Sequence, residues 1–229
     1  YLIFNEGYSS SQTDQPIRRE LCEEALRLGA RLAAHPIGHR PDTLALLALM
    51  NFHVARFDAR IDATGGLILL EDQDRSLWDR QRISAGFELL KASGTGDTFT
   101  RYHAEAAIAA EHCFAHDFAS TRWSEIVSLY EMLEAISPSP LHTLNRAIAL
   151  AQWKGPQAGL DLIEQLLQST KAPNWLRGYY LWDATLGELH RQAGNEQKAK
   201  DHLSRALEAA NTNAEKDIIR RRLKMSGIG

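Results

Sequence analysis

Tyr180-Leu181-Trp182-Asp183-Ala184-Thr185-Leu186-Gly187-Glu188-Leu189-His190 is followed, after a break at Gly194-Asn195, by Ala199, Leu203 and Ala206. The spacing of small residues in this stretch decides the fold. With Gly187 at the small eighth position of a 34-residue helix-hairpin unit running from Tyr180 to Asn213, Ala199 and Ala206 fall on the later small positions. Small side chains there let two antiparallel helices approach closely, so Gly187 and Ala199 are expected to meet where the helices cross. One unit upstream, Ala147 and Gly159 repeat the twelve-residue gap between Gly187 and Ala199, and Pro173 stands near a terminating proline. The two units are offset by forty residues, which places a short insertion around Asn174 to Gly178 between them.

Helical signals continue outward on the N-terminal side. Thr121 opens a helix with Trp123, Ile126, Leu129, Tyr130 and Leu133 as its apolar stripe, and Ser139-Pro140 starts another that Gly155 ends. Pro156 starts the next, and Asn174, Asn195 and Asn213 read as N-caps of three more. Near the start, Ile17, Leu21, Ala25, Leu28 and Leu32 recur at steps of three and four, the pattern of an amphipathic helix ending at Ala34. From Pro41 onward Leu44, Leu46, Leu47, Leu49, Met50, Phe52 and Val54 point in all directions, which predicts a central, buried helix. A further helix spans about Thr98 to His116. Only Leu67 to Leu70 could be a strand, and that run is too short to decide. The fold class is all-α: a helical hairpin stack with tetratricopeptide-like repeats in residues 121–229, behind a front helical unit in residues 1–120. A plain helical bundle is the competing architecture.

The front unit contains an acidic corner. Leu67-Ile68-Leu69-Leu70 runs into Glu71-Asp72-Gln73-Asp74-Arg75-Ser76-Leu77-Trp78-Asp79, directly after the Gly65-Gly66 break. Asp72, Asp74 and Ser76 are placed to cap backbone N–H groups, and Ser76 with Asp79 has the spacing of a capping box. Arg56 and Arg60, four apart on one helix face, are expected to reach back to Glu71, Asp72 or Asp74. Trp78 is expected to be buried, and the corner to be a hinge between the front helices and the repeats. Its contact set is therefore Arg56, Arg60, Glu71, Asp72, Asp74, Arg75, Ser76 and Trp78. A metal or a catalytic base is the sharper alternative, but no second acidic cluster completes such a site.

Charge and cysteine content narrow the function. Lys and Arg number 26 against 29 Asp and Glu, a net charge of −3, which argues against a nucleic-acid binder. A basic run, Lys216 with Arg220, Arg221, Arg222 and Lys224, is the local exception. Cys22 and Cys113 offer no disulfide framework, so a reducing cytoplasm is expected. No apolar run is long enough to cross a bilayer, and no membrane association is expected. His112 and His116 lie four apart with Glu111 beside them, a spacing zinc sites use, but Cys113 stands where a zincin has Glu and no third ligand is evident. The start at Tyr1 without an initiator Met reads as a fragment of a longer protein.

Five stretches together resemble a known family: Leu2-Ile3-Phe4-Asn5-Glu6-Gly7-Tyr8, Arg19-Glu20-Leu21-Cys22-Glu23-Glu24-Ala25, Leu46-Leu47-Ala48-Leu49-Met50, Leu70-Glu71-Asp72-Gln73-Asp74-Arg75-Ser76-Leu77-Trp78-Asp79 and Leu144-Asn145-Arg146-Ala147-Ile148-Ala149. They are similar to the long C-terminal extension of a subgroup of bacterial extracytoplasmic-function RNA polymerase sigma factors. Asn51-Phe52-His53-Val54 and Tyr102-His103-Ala104-Glu105 depart modestly from that pattern. The resemblance implies a non-catalytic regulatory or docking region acting in transcription initiation, with no cofactor and no catalytic residue. It implies as partners the N-terminal sigma modules of the same chain and core RNA polymerase, with promoter DNA contacted only through those modules. A free-standing helical-repeat scaffold and a metal-dependent enzyme using Glu111, His112 and His116 are the alternatives.

Overall fold

The computed structural model describes residues 1–10, 17–63, 65–168 and 174–225. Among these it has twelve α-helices and no strand, so the chain is an all-α helical stack. Leu67 makes an isolated antiparallel bridge with Ile61, and Leu70 already belongs to a 3-10 turn; the run 67–70 is not a strand. Pro173 lies outside the described residues. The chain divides into two compact units, Tyr1–Arg122 and Trp123–Gly229.

The first unit contains α1 (Leu2–Tyr8), α2 (Arg19–Ala34), α3 (Pro41–Val54), the one-turn α4 (Phe57–Arg60), α5 (Arg80–Ser93) and α6 (Arg101–Phe114). α3 is its axis: Leu44, Leu47, Leu49, Met50, Phe52 and Val54 are buried around its circumference, and α2, α5 and α6 pack against it. A helix apolar on every side has no face to give to water. Burying one such Leu or Phe side chain contributes about 1.5–3 kcal/mol, so α3 holds its three neighbours together. α1 closes on α2 at Gly7, whose carbonyl accepts from the Arg18 amide at 2.7 Å. A Cβ at residue 7 would lie 2.7 Å from Cys22 Sγ and 2.8 Å from the Arg18 carbonyl oxygen, so only glycine permits this approach.

The second unit contains α7 (Trp123–Ile136), α8 (Pro140–Lys154), α9 (Pro156–Gln168), α10 (Tyr180–Gln192), α11 (Glu196–Ala209) and α12 (Asn213–Met225), each packed on the next. Gly155 alone joins α8 to α9 and three residues join α10 to α11, connections short enough to force antiparallel hairpins. Asn174 begins not an α-helix but a 3-10 turn, Asn174–Gly178. Asn213 is already inside α12; Thr212 caps it, with Oγ1 accepting from the Glu215 amide while Glu215 accepts from the amides of Asn211 and Thr212. In the α10–α11 hairpin Ala199, Leu203 and Ala206 are fully buried. Gly187 faces Leu203, not Ala199: a Cβ on residue 187 would lie 2.6 Å from Leu203 Cγ. Residues 187 and 203 are equidistant from the turn at Asn195, and an antiparallel pair brings equidistant residues together.

Candidate functional site

The acidic corner becomes two short 3-10 turns, Leu70–Asp72 and Arg75–Leu77. Asp74 caps the second, its Oδ1 accepting from the Ser76 amide at 2.8 Å. Helix α5 begins only at Arg80, with Asp79 as N-cap accepting from the amides of Gln81 and Arg82 at 2.9 and 3.0 Å. Ser76 therefore does not open a capping box with Asp79; the turn takes up the residues between them. Residues 71–78 lie inside the first unit, whose last residue is Arg122.

The corner's buried residues build the site. Trp78 is 2% exposed, and two guanidinium groups lie over its indole, with Arg75 Cζ 4.6 Å and Arg56 Cζ 5.3 Å from the ring centroid. Buried Arg75 donates from Nη1 to the carbonyl oxygens of His112 at 2.5 Å and Ala115 at 2.8 Å, at the C-terminal end of α6. Those carbonyls have no amide partner within the helix and carry its negative dipole end, so a cation satisfies both needs at once. Arg56, just past the end of α3, donates from Nε to Gln73 Oε1 at 3.2 Å, and Gln73 in turn donates to the Ile68 carbonyl. Arg60 donates to the Tyr8 carbonyl at 3.0 Å and lies 3.8 Å from the Tyr8 ring centroid. Neither Arg56 nor Arg60 forms the ion pair with Asp72 or Asp74 expected from their positive charge. Asp72 and Asp74 are exposed, and the two arginines are turned inward to carbonyl, amide and ring. Arg80 completes the group, donating to the Arg75 carbonyl at 3.3 Å.

The site holds its titratable neighbours uncharged. Burial first, then the fields of Arg56, Arg60 and His112, push His53 down to about 3. Burial, then Arg56 and Arg75, push His112 down to about 3. Burial raises the Cys113 thiol to about 11 although Arg56, Arg75 and Arg80 pull the other way. Arg75 Nη2, Trp78 Nε1 and His53 Nδ1 are buried without a hydrogen-bond partner among the described residues.

The proposed metal residues are not brought together. Glu111 is held in a two-point ion pair by Arg122, at 2.7 and 2.8 Å, and the His112 ring is buried at Nδ1. α6 ends at Phe114, so His116 leaves the helical register and lies exposed beside Asp117 at 3.6 Å. Among the described residues no cluster of three His, Cys, Asp or Glu could hold a metal ion. In the second unit, Asp183 is an unforeseen buried carboxylate, with His202 Nδ1 at 2.7 Å and Arg205 Nε at 3.1 Å. The pattern i, i+3 of His202 and Arg205 on α11 was a signal for a shared partner across the hairpin.

Comparison with known proteins adds three findings. No solved structure matches the chain. An uncharacterized protein of Rhizobium meliloti (strain 1021) is 37% identical over 223 residues, which cover 97% of this chain and 51% of that protein, so the chain spans about half the length of the curated relative it matches. Residues 1–94, which hold α1 to α5 and therefore Arg56, Arg75 and Trp78, match the family of unknown function DUF6596.

Proposed function

We propose that residues 1–229 form the non-catalytic, protein-interacting regulatory region of a bacterial extracytoplasmic-function sigma factor. In this reading transcription initiation is carried by sigma modules elsewhere in the full-length chain, and this region docks on those modules or on core RNA polymerase in the cytoplasm. The observation that carries the reading is the set of five motif stretches, because they are the joints of the fold. Phe4 and Gly7 of the first stretch seat α1 on Cys22 of the second. Leu47, Leu49 and Met50 of the third are buried in the central helix, and Arg75 and Trp78 of the fourth tie the corner to α6. In the fifth, Leu144 and Ala147 are buried while Arg146 pairs with Glu131 and Glu134 across α7 and α8. A pattern that falls at packing joints is one that specifies an architecture, and hairpin stacks of this kind present extended surfaces to other proteins. The tetratricopeptide-like register of α8–α9 and α10–α11 supplies that surface here.

The test is direct binding of purified residues 1–229 to the remaining portion of its full-length protein and to core RNA polymerase, by calorimetry and pull-down. Saturable binding to either, and altered promoter-dependent transcription when the region is removed from the full-length protein, are the expected results. No binding to either partner, with transcription unchanged by the deletion, refutes the reading.

A further inference from the structure

A groove of about 450 Å³ lies in the first unit between α2 and α5, with α3 as its floor. Leu26, Ala30 and Ala33 of α2, Leu89 of α5 and Leu47 of α3 make its lining apolar. Arg82 closes one end, its Nη2 donating across to both carboxylate oxygens of Glu23 at 2.9 and 2.8 Å. From that clasp the walls run on to Leu89 and Ala33, about 10–15 Å of helix. Asn51, on the floor, is the one polar residue of α3 that is more than nine-tenths buried, at 7% exposed. Its Nδ2 donates to the Leu47 carbonyl oxygen at 2.8 Å, one turn back in the same helix. Only nitrogen can donate to a carbonyl, so this bond fixes which way the amide is turned. Oδ1 then has no hydrogen-bond partner among the described residues. Nor is it one of the sealed, unpaired polar atoms, so it opens on the groove. Folding does not account for this side chain. Its bond ties α3 only to itself, asparagine is a poorer helix former than leucine, and an acceptor held among apolar side chains is costly unless a donor reaches it.

We propose that the groove between α2, α3 and α5 is a binding site for a small neutral aliphatic amide, whose N–H donates to Asn51 Oδ1. The volume is that of a small-ligand site, and an apolar lining with few, placed polar groups is the usual make-up of one. The charges at the rim are already matched. Glu23 is held by Arg82, and Arg27 donates from Nε to Glu24 at 2.7 Å, so neither a cation nor an anion finds a free counter-charge. Arg82 spends only Nη2 on Glu23; its Nε and Nη1 have no partner among the described residues and are donors for a ligand carbonyl oxygen. An amide carries its donor and its acceptor on separate atoms, which suits an acceptor on α3 and a donor on α5. An alcohol has both on one oxygen. The aliphatic body of the ligand covers Leu26, Leu47 and Leu89. The inference does not rest on the sigma-factor reading.

The probes are N-methylhexanamide, its N,N-dimethyl analogue, which lacks the N–H, and hexanoate, each titrated into residues 1–229 and followed by NMR. N-methylhexanamide is expected to bind one per chain with a millimolar or tighter Kd, and to shift the side-chain amide resonances of Asn51. The dimethyl analogue and hexanoate are each expected to bind about tenfold more weakly or worse, for want of the donated hydrogen bond. Asn51→Leu keeps the floor apolar and removes the acceptor, so it is expected to bind the two amides equally. Ala30→Phe, at an exposed position of the α2 wall, fills the groove from the side and is expected to abolish binding with the melting temperature unchanged. No binding of N-methylhexanamide, equal Kd values for the two amides in the parent chain, or hexanoate bound as tightly as N-methylhexanamide overturns the proposal. So does a preference between the amides that survives in Asn51→Leu, or binding undiminished in Ala30→Phe.

Discussion

Gly7→Ala sets two principles against each other, and the structure decides the sign. Gly7 lies in the short helix α1, where replacing glycine by alanine in isolation stabilises by about 1 kcal/mol. The new methyl, however, would stand 2.7 Å from Cys22 Sγ, 2.8 Å from the Arg18 carbonyl oxygen and 2.9 Å from the Cys22 amide nitrogen. Two of those three atoms are backbone, and Cys22 is fully buried, so no rotamer change relieves the contact. Overpacking of this kind costs about 3 kcal/mol. Net of the helix preference, about 2 kcal/mol of stability is lost, which is about 8 °C in the melting of a unit of this size. Gly94→Ala is the control in the same unit, because a Cβ there meets only the Lys91 carbonyl oxygen, at 3.4 Å. Differential scanning calorimetry of the two variants beside the parent chain is the assay. A Gly7→Ala protein that melts at or above the parent would show that α1 and α2 separate freely and that the close approach carries no stability.

Low pH should destabilise the first unit through His53 and His112. Their folded pKa values, both about 3, lie below the ordinary 6.5, so the unfolded chain takes up the protons first. Stability is then full above about pH 6.5 and falls as pH drops toward 3, by about 1.4 kcal/mol per pH unit for each histidine; urea midpoints from pH 7.5 to 5 should show a shallower fall in His53→Gln, and an identical fall would remove His53 from the account. Arg75→Met strands the carbonyls of His112 and Ala115 and should cost about 2–3 kcal/mol in a urea melt, whereas a loss under about 0.5 kcal/mol, the range of an ordinary surface change, would mean water replaces the guanidinium without penalty. Ala199→Arg forces a charge into a fully buried position of α11 and should melt the second unit while leaving the first intact; a calorimetric trace like the parent's would count against the packing of that hairpin. Residues 1–229 should not shift promoter duplex at physiological salt, given the net charge of −3; sub-micromolar, salt-sensitive binding would contradict this.

What the sequence made legible follows from what kind of partner each residue has. α3 was readable because its apolar residues point everywhere, and only a core satisfies that. The α10–α11 hairpin was readable because Gly187, Ala199 and Ala206 are small at fixed spacing, although counting from the turn would have matched Gly187 with Leu203. The capping residues were half readable: Asp79 was seen but assigned to the inside of a helix that it instead precedes, because two 3-10 turns leave no periodicity in sequence. α1 was not seen as a helix, since glycine and asparagine in a seven-residue segment argue against one until tertiary contact with α2 is known. The arginines were the least legible. Charge suggests charge as the partner, so Arg56 and Arg60 pointed to the neighbouring acids. Their actual partners are a glutamine, a backbone carbonyl and aromatic faces, and which carbonyls go unpaired is set by where helices end.

The anchorage of Arg75 has a consequence for the order of assembly. Its two carbonyl acceptors lie 37 and 40 residues downstream, at His112 and Ala115. While the chain is being synthesised, helices α1 to α3 can pack as soon as they emerge, because their contacts are near in sequence. Residues 70–78 cannot, since the helix end that receives Arg75 does not yet exist. Until Ala115 has left the ribosome, Trp78 and its flanking guanidinium groups remain open to solvent. The corner therefore closes later than the packing of α1 to α3, and during that interval an apolar indole and cations without their carbonyl acceptors are presented to whatever chaperone or anion is at hand.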